Sequence, residues 1–168
     1  MELYLMRHGD AIDRTLPEAA DDAARWLTEE GREETAVMAR FLHRLGVRLD
    51  LALSSPLVRA HQTAEVVADL IGPAQIELCE DLVYGGSFSG IVQAISERAP
   101  VRRVLLTGHM PSIGRLVGWL AWNQRDCEVR MRTATICRID LPNESLSPGY
   151  GDIRWLMSPK QAAKTLEG

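Results

Sequence analysis

The sequence predicts an α/β fold: a three-layer α/β/α sandwich with a mostly parallel central sheet and an antiparallel edge. Three observations carry this reading. Short apolar runs alternate with amphipathic helical stretches along most of the chain, the pattern of parallel strands covered on both faces. The tail changes to two strand-like runs around a turn segment, residues 142–150, which adds an antiparallel pair at one edge. The 168 residues, 46% hydrophobic and 25% charged, carry no internal repeat or low-complexity linker, so a single domain over 1–168 is expected.

The elements follow in order. Residues 2–6 form an apolar strand. Residues 28–45 form a helix, because Val37, Phe41 and Leu45 recur four apart with Met38 and Leu42 beside them. Thr28 caps it, Glu29 and Glu30 suit its first turn, and Gly46 suits its stop. Residues 51–54 form a second strand. Ser55-Pro56 then reads as N-cap and first position of a helix running to about Leu70, with Ala60, Ala64, Val67 and Ile71 as its apolar stripe. Residues 75–78 make a short strand, 89–98 a helix with Ile91, Val92 and Ile95 on one side, and 103–107 a strand. Residues 111–122 make a helix whose Gly114 and Gly118 allow close packing. Residues 134–141 and 151–157 are the final strands.

The chain has 19 basic and 23 acidic residues, a net charge of −4. That argues against a generally basic nucleic-acid binder. No run reaches the ~18 apolar residues of a membrane span. Met1 to His8 lacks the basic and long apolar regions of a signal peptide. A cytoplasmic monomer with no membrane or nucleic-acid partner is therefore expected. Cys79, Cys127 and Cys137 are odd in number and lack a C-x-x-C spacing, which fits reduced thiols and neither a disulfide framework nor a zinc knuckle. Seven arginines (102, 103, 115, 125, 130, 132 and 138) stand against Asp126 and Glu128 in the stretch 102–138. For most of them a solvated face is expected, with oxyanion recognition as the alternative.

Three strands end in chemistry-bearing residues. The first runs into Arg7-His8-Gly9-Asp10, the second into Ser54-Ser55-Pro56 with Arg59 just beyond, and the third into Gly108-His109. Ligands of open α/β sheets bind outside the carboxyl ends of the strands. Parallel strands would therefore deliver Arg7, Arg59, His8 and His109 to one sheet edge, with helix N-termini and exposed amide groups beside them. Guanidinium forks bind phosphoryl oxygens and keep their charge. A histidine accepts a phosphoryl group when one ring nitrogen is unprotonated and the other is held by a hydrogen bond. Gly9 is expected to let the backbone approach the phosphate. Such a cage needs no metal. Two flanking arginines would repel a cation, and no carboxylate cluster accompanies the histidines, so no metal and no cofactor is expected.

The run Leu5-Met6-Arg7-His8-Gly9-Asp10-Ala11 resembles the signature of the histidine phosphatase superfamily, the phosphoglycerate mutase-like proteins. The stretch from Ser54 to Ala64, with Arg59-Ala60 and Gln62-Thr63-Ala64, is similar to the family's S-x-x-x-R-A-x-Q-T-A segment, and Gly108-His109-Met110-Pro111 to its second histidine box. Leu27-Thr28-Glu29-Glu30-Gly31 resembles its helix start. The short chain, the RHGDA form and the terminal Trp155 to Pro159 are most similar to the SixA-type phosphohistidine phosphatases. The resemblance implies a phosphoglycerate mutase-like fold, with His8 as the nucleophile of a phosphohistidine intermediate. Arg7, Arg59 and His109 would hold the phosphoryl oxygens, and water would release inorganic phosphate. His43 and His61 lie outside these boxes and read as surface or structural residues.

Phosphomonoesterases of the family also need an acid for the leaving alkoxide. The mutase-like glutamate lies three residues before a Tyr-Gly pair. Asp81 falls at that spacing, with Glu80 adjacent, and solvated loop carboxylates are the plainer reading. A weak acid fits a phosphoramidate, whose imidazole leaves more readily than an alkoxide. The expected substrate is then a phosphohistidine on a phosphorelay or carrier protein. A small phosphate ester, with Asp81 or Glu80 as acid, is the alternative. A phospho-ligand binding module without turnover is a third reading, of another class. Residues 13–25 read as a rim loop. Arg25 is its candidate contact, standing where the subgroup has R-P-L-T, although Trp26 replaces the proline.

Overall fold

Alternation along the first strand decides the architecture. β1 (Glu2–Arg7) sends Leu3 and Leu5 into one apolar cluster and Tyr4 and Met6 into another, all four fully buried. A strand buried on both faces needs helices on both. The computed structural model describes residues 1–73, 75–142 and 146–168. It supplies those layers with α1 (Glu29–Arg44), α2 (Val58–Ile71) and α5 (Pro159–Glu167) on one side and α3 (Phe88–Ser96) and α4 (Ser112–Trp122) on the other.

The sheet also contains β2 (Leu51–Ser54), β3 (Ile76–Leu78), β4 (Arg103–Gly108), β5 (Ile136–Asp140) and β6 (Asp152–Met157), in the order β3-β2-β4-β1-β5-β6. The first four strands in that order run parallel; β5 pairs antiparallel with β1, and β6 with β5. This is the predicted sandwich with its antiparallel edge. The chain moves outward from β1 through β2 to β3, then returns to place β4 between β2 and β1. The carboxyl ends of β2, β4 and β1 are thereby adjacent.

Several local readings change. α2 begins at Val58 with Leu57 as its cap, so Ser55-Pro56 lies ahead of the helix. The Ser55 hydroxyl accepts from Leu57 N at 3.3 Å and also meets His109, as described below. β5 starts at Ile136 because Ala134 adopts a left-handed φ of 52°, which breaks the extended run. The turn read at 142–150 falls partly on residues 143–145, outside the described residues. Helix α5 was not predicted, although Ser158 and Gln161 form a capping box around Pro159. Gly114 and Gly118 do permit close packing: a Cβ at either would lie 2.3 Å from the Val129 carbonyl oxygen or 2.2 Å from that of Cys127.

Gly9 has a packing reason of its own. A Cβ there would meet the Gly31 carbonyl oxygen and Thr35 Oγ1, both at 2.7 Å. The crowding comes from α1 and its first turn. Reciprocally, a Cβ on Gly31 would lie 2.1 Å from the Asp10 carbonyl oxygen. Thr28 caps α1 by accepting from Gly31 N at 3.0 Å, and its own amide donates to Asp10 O at 3.0 Å. The helix start and the loop after β1 are one packed unit. Gly31→Ala should therefore cost about 1–3 kcal/mol of stability. Chemical denaturation checks this, and an unchanged midpoint would show that α1 does not seat on this loop.

Candidate active site

Backbone hydrogen bonds between neighbouring strand ends fix the site. His8 N donates to Gly108 O at 3.0 Å, Ser55 N to Thr107 O at 3.0 Å, Arg7 N to Thr135 O at 3.1 Å and Ala134 N to His8 O at 3.1 Å. These bonds hold Arg7 and His8 after β1, Ser55 after β2 and His109 after β4 in one register. Arg59 comes from the first turn of α2. A cavity of about 200 Å³ opens there, lined by Arg7, His8, Arg59 and His109 together with Asp10 and Arg25 among others. The structure thus brings together the four residues expected to form the cage.

The donors of this cavity lack acceptors. Five buried polar side-chain atoms have no hydrogen-bond partner among the described residues, and three of them are Arg7 Nε, Arg59 Nε and His109 Nδ1. Each such group costs about 1–3 kcal/mol when left unmet, so their convergence on one cavity marks an oxyanion site. The other ends of these side chains are anchored. Arg7 NH1 donates to Met131 O at 2.9 Å, and His109 Nε2 lies 2.8 Å from Ser55 Oγ. The amides of His8 and Gly9 are committed within the scaffold, to Gly108 O and Thr63 Oγ1. Side chains, not these two amides, supply the oxyanion donors.

His8 presents Nε2 as its unprotonated ring nitrogen. Its Nδ1 lies 2.7 Å from the Gly9 carbonyl oxygen. A carbonyl only accepts, so Nδ1 carries the proton and Nε2 keeps its lone pair. Burial pushes the imidazole pKa down to about 4, against the opposing Gly9 hydrogen bond and with help from the charges of Arg59 and Arg7. Burial likewise takes His109 to about 3, assisted by His8 and Arg59. The rings, with centroids 5.0 Å apart, are both uncharged at neutral pH.

The rim loop contributes a residue that sequence reasoning did not single out. Asp22 is half-exposed and sits among three arginines: Arg14 Nε at 3.1 Å, Arg25 NH1 at 3.1 Å and Arg59 NH2 at 3.0 Å. Its carbonyl also accepts from Arg59 NH1 at 2.6 Å. Burial would raise the Asp22 carboxyl, but the hydrogen bonds from Arg25 and Arg59 and the charges of Arg59 and Arg14 hold it below the usual range. Arg25 lines the cavity, with its Nε donating to Ile12 O at 2.7 Å.

Asp81 is placed differently. Its Oδ1 accepts from Ser87 N at 2.8 Å, and its Oδ2 packs where a Cβ on Gly90 would fall. The carboxylate seats the start of α3 and does not line the cavity. Glu80, beside it, is exposed and does not line the cavity either. The cavity's carboxylate is Asp10, whose Oδ2 accepts from Thr28 Oγ1 at 3.0 Å. Neither Asp10 nor Asp22 was weighed from the sequence, because no spacing rule distinguishes them from other loop acids. His61 pairs with Glu65 at 3.3 Å and His43 with Arg48 at 3.1 Å, both away from the cavity. Among the described residues no group of three or more His, Cys, Asp or Glu could hold a metal ion. Among them too, no helix is long and apolar enough to cross a membrane.

Three outcomes follow from this geometry. Ser55→Ala removes the contact that orients His109, and kcat should fall roughly tenfold, the kinetic equivalent of one hydrogen bond; an unchanged kcat would show that His109 needs no such support. Asp22→Asn removes a charge that competes for the guanidiniums, so inorganic phosphate should inhibit up to about fivefold more tightly, the equivalent of about 1 kcal/mol; weaker inhibition would contradict that competition. NMR titration of the free protein should show His8 uncharged from neutral pH down to about 4. The unfolded chain's histidines gain protons below about 6.5. Folding stability should therefore decline as pH falls from there towards 4, with little contribution from these rings above pH 7.

Comparison with known proteins agrees with this constellation. Residues 3–103 match the histidine phosphatase superfamily, branch 1. The phosphohistidine phosphatase SixA of Escherichia coli (strain K12) is 34% identical over 163 residues, covering 95% of this chain and 94% of that protein. A solved structure of the protein histidine phosphatase SixA complexed with tungstate superposes with a TM-score of 0.80 at 33% identity, over 95% of this chain and 98% of the other. The phosphoglycerate mutase of Bacillus anthracis str. Sterne shares the fold at a TM-score of 0.70 and 17% identity, over 98% and 96% of the two chains. The matched stretch contains Arg7, His8 and Arg59, and the relatives extend the match over His109; this chain belongs to the histidine phosphatase superfamily, branch 1, and is a phosphatase.

Proposed function

We propose that the protein removes phosphoryl groups from phosphohistidine on a partner protein, through a phosphorylated His8. The observation that carries the reading is the set of three buried nitrogens without partners among the described residues, Arg7 Nε, Arg59 Nε and His109 Nδ1, around an uncharged nucleophile. A phosphoryl group supplies the missing acceptors. The relative solved with tungstate, a tetrahedral oxyanion, supports the same ligand class here.

His8 Nε2 attacks phosphorus, and the bond from phosphorus to the substrate's imidazole nitrogen breaks. Arg7, Arg59 and His109 stabilise charge on the equatorial oxygens in both this step and the next. Water then attacks the phosphohistidine, the phosphorus–Nε2 bond breaks, and inorganic phosphate leaves. The departing imidazole takes one proton from solvent and leaves neutral, with less assistance than an alkoxide needs, and the attacking water returns a proton to solvent in the second step. That matches a cavity from which Asp81 is absent, its carboxylate being tied to α3.

A second reading has one specific observation in its favour. Asp10 lines the cavity and would serve a small phosphate ester as acid, in the role first expected of Asp81 or Glu80. Assay of a phosphohistidine peptide beside a panel of phosphate monoesters separates the two. We expect the peptide to be the better substrate and Asp10→Asn to leave its turnover within a few-fold. Ester turnover that exceeds the peptide's and collapses in Asp10→Asn would install the ester reading. On either substrate Arg59→Ala should lower kcat by about 10²–10³, the range for loss of one oxyanion donor. Turnover that survives His8→Ala would reject covalent catalysis through His8, whereas phosphate binding with no turnover of any substrate by the unaltered protein would leave only a binding site.

A further inference from the structure

A second concavity lies directly beside the catalytic one. Met110 lines the catalytic cavity, and the next residue, Pro111, lines a groove of about 280 Å³ that extends over the starts of α3 and α4 and reaches the segment after α4. Arg115 and Arg125 both line this groove and are both exposed. Other arginines of the 102–138 stretch are neutralised: Arg103 pairs with Glu2 at 3.2 Å, and Arg138 with Asp140 at 2.8 Å and Glu2 at 3.3 Å. Arg115 and Arg125 form no ion pair among the described residues. Asp126, also on the groove, is the acid nearest them in sequence and pairs with neither.

Arg125 is nevertheless held in place. Its guanidinium lies 5.6 Å from the ring centroid of Phe88 and 5.5 Å from that of Trp119. The rings stabilise the cation through its face and leave its N–H donors available for an oxyanion. Tyr84, 72% exposed, also lines the groove. Arginine and tyrosine side chains at a rigid concavity are the residues that dominate binding hot spots. A pocket that shares Asp10 with the catalytic cavity carries both signs, with Glu30 and Glu34 alongside Arg132 and Lys160. In the groove two guanidiniums stand against the single carboxylate of Asp126.

We infer that this groove docks an acidic segment of the protein that presents the phosphohistidine. The inference rests on the substrate class proposed above. Carboxylates of the segment would meet Arg115 and Arg125, and Tyr84 and Phe88 would cover its apolar atoms. Docking beside the catalytic cavity would align the phosphoryl group with His8. It would also give specificity to a site whose own donors recognise any phosphoryl group.

Two peptides test the inference. They are identical except that the residues flanking a central histidine are glutamates in one and glutamines in the other. Fluorescence anisotropy with the unphosphorylated peptides reads docking alone; the phosphorylated forms read kcat/KM. The glutamate peptide should bind roughly tenfold tighter at low salt. The difference should vanish at high salt and in R115E/R125E or the milder R115Q/R125Q. Hydrolysis of a small phosphoramidate by both variants should match the unaltered protein, which shows that they are folded. Equal binding of the two peptides, or a preference that survives both variants, overturns the groove assignment even if both phosphopeptides are hydrolysed. A glutamate preference lost in the variants, with no hydrolysis of either phosphopeptide, upholds the acidic docking groove and rejects the phosphohistidine substrate.

Discussion

Everything at this site depends on buried hydrogen-bond donors being held apart from any protein acceptor. Arg7, Arg59 and His109 line one cavity, and Arg7 Nε, Arg59 Nε and His109 Nδ1 have no partner among the described residues. Folding tolerates that cost because strand ends locked by backbone bonds leave the side chains no other partner to reach. The same rigidity allows the donors to meet developing charge without reorganising, which is the main source of catalysis in phosphoryl transfer. His8 shares the constraint. Burial among cations keeps its ring neutral, and the Gly9 carbonyl chooses which nitrogen remains nucleophilic.

Around this centre the structure compensates locally. Asp22 supplies a carboxylate to Arg14, Arg25 and Arg59 from the mouth of the cavity, where it is half-exposed and carries part of their charge. Arg59 thus arrives with two nitrogens anchored to Asp22 and its Nε free. Ser55 does the corresponding work for His109. The helix α1 closes the unit from behind by packing Gly31 onto the loop at Gly9 and Asp10. Each contact acts by orienting another group.

The sequence made the scaffold and the cage legible for a physical reason. Period-two and period-3.6 patterns report burial directly, and Arg7, His8, Arg59 and His109 stand where strands end, so topology alone collects them. Asp81 shows the limit of spacing arguments. Its distance from Tyr84 matched a family pattern, yet its carboxylate is closer to the amide of Ser87 and turns there. Ser55 looked like a helix cap, but the buried ring of His109, 54 residues away in sequence, has a stronger claim on its hydroxyl. Asp22 was illegible because its role needs three arginines from separate segments, and no local pattern records such a convergence. Gly9 was singled out for an approach to phosphate, and its packing against α1, which needs contacts 22 or more residues away in sequence, was not legible. Helix α5 did carry a local signal, the Ser158 capping box, which the short polar tail concealed.

In the proposed reaction phosphorus bonds to the nitrogen of His8 that Gly9 leaves unprotonated. Phosphorus–nitrogen coupling in the NMR spectrum of protein labelled with ¹⁵N-histidine, phosphorylated during turnover and trapped at alkaline pH, measures that bond. Coupling of phosphorus to Nε2 of His8 is the expected result. Coupling to Nδ1 of His8, or to a nitrogen of His109, would contradict it.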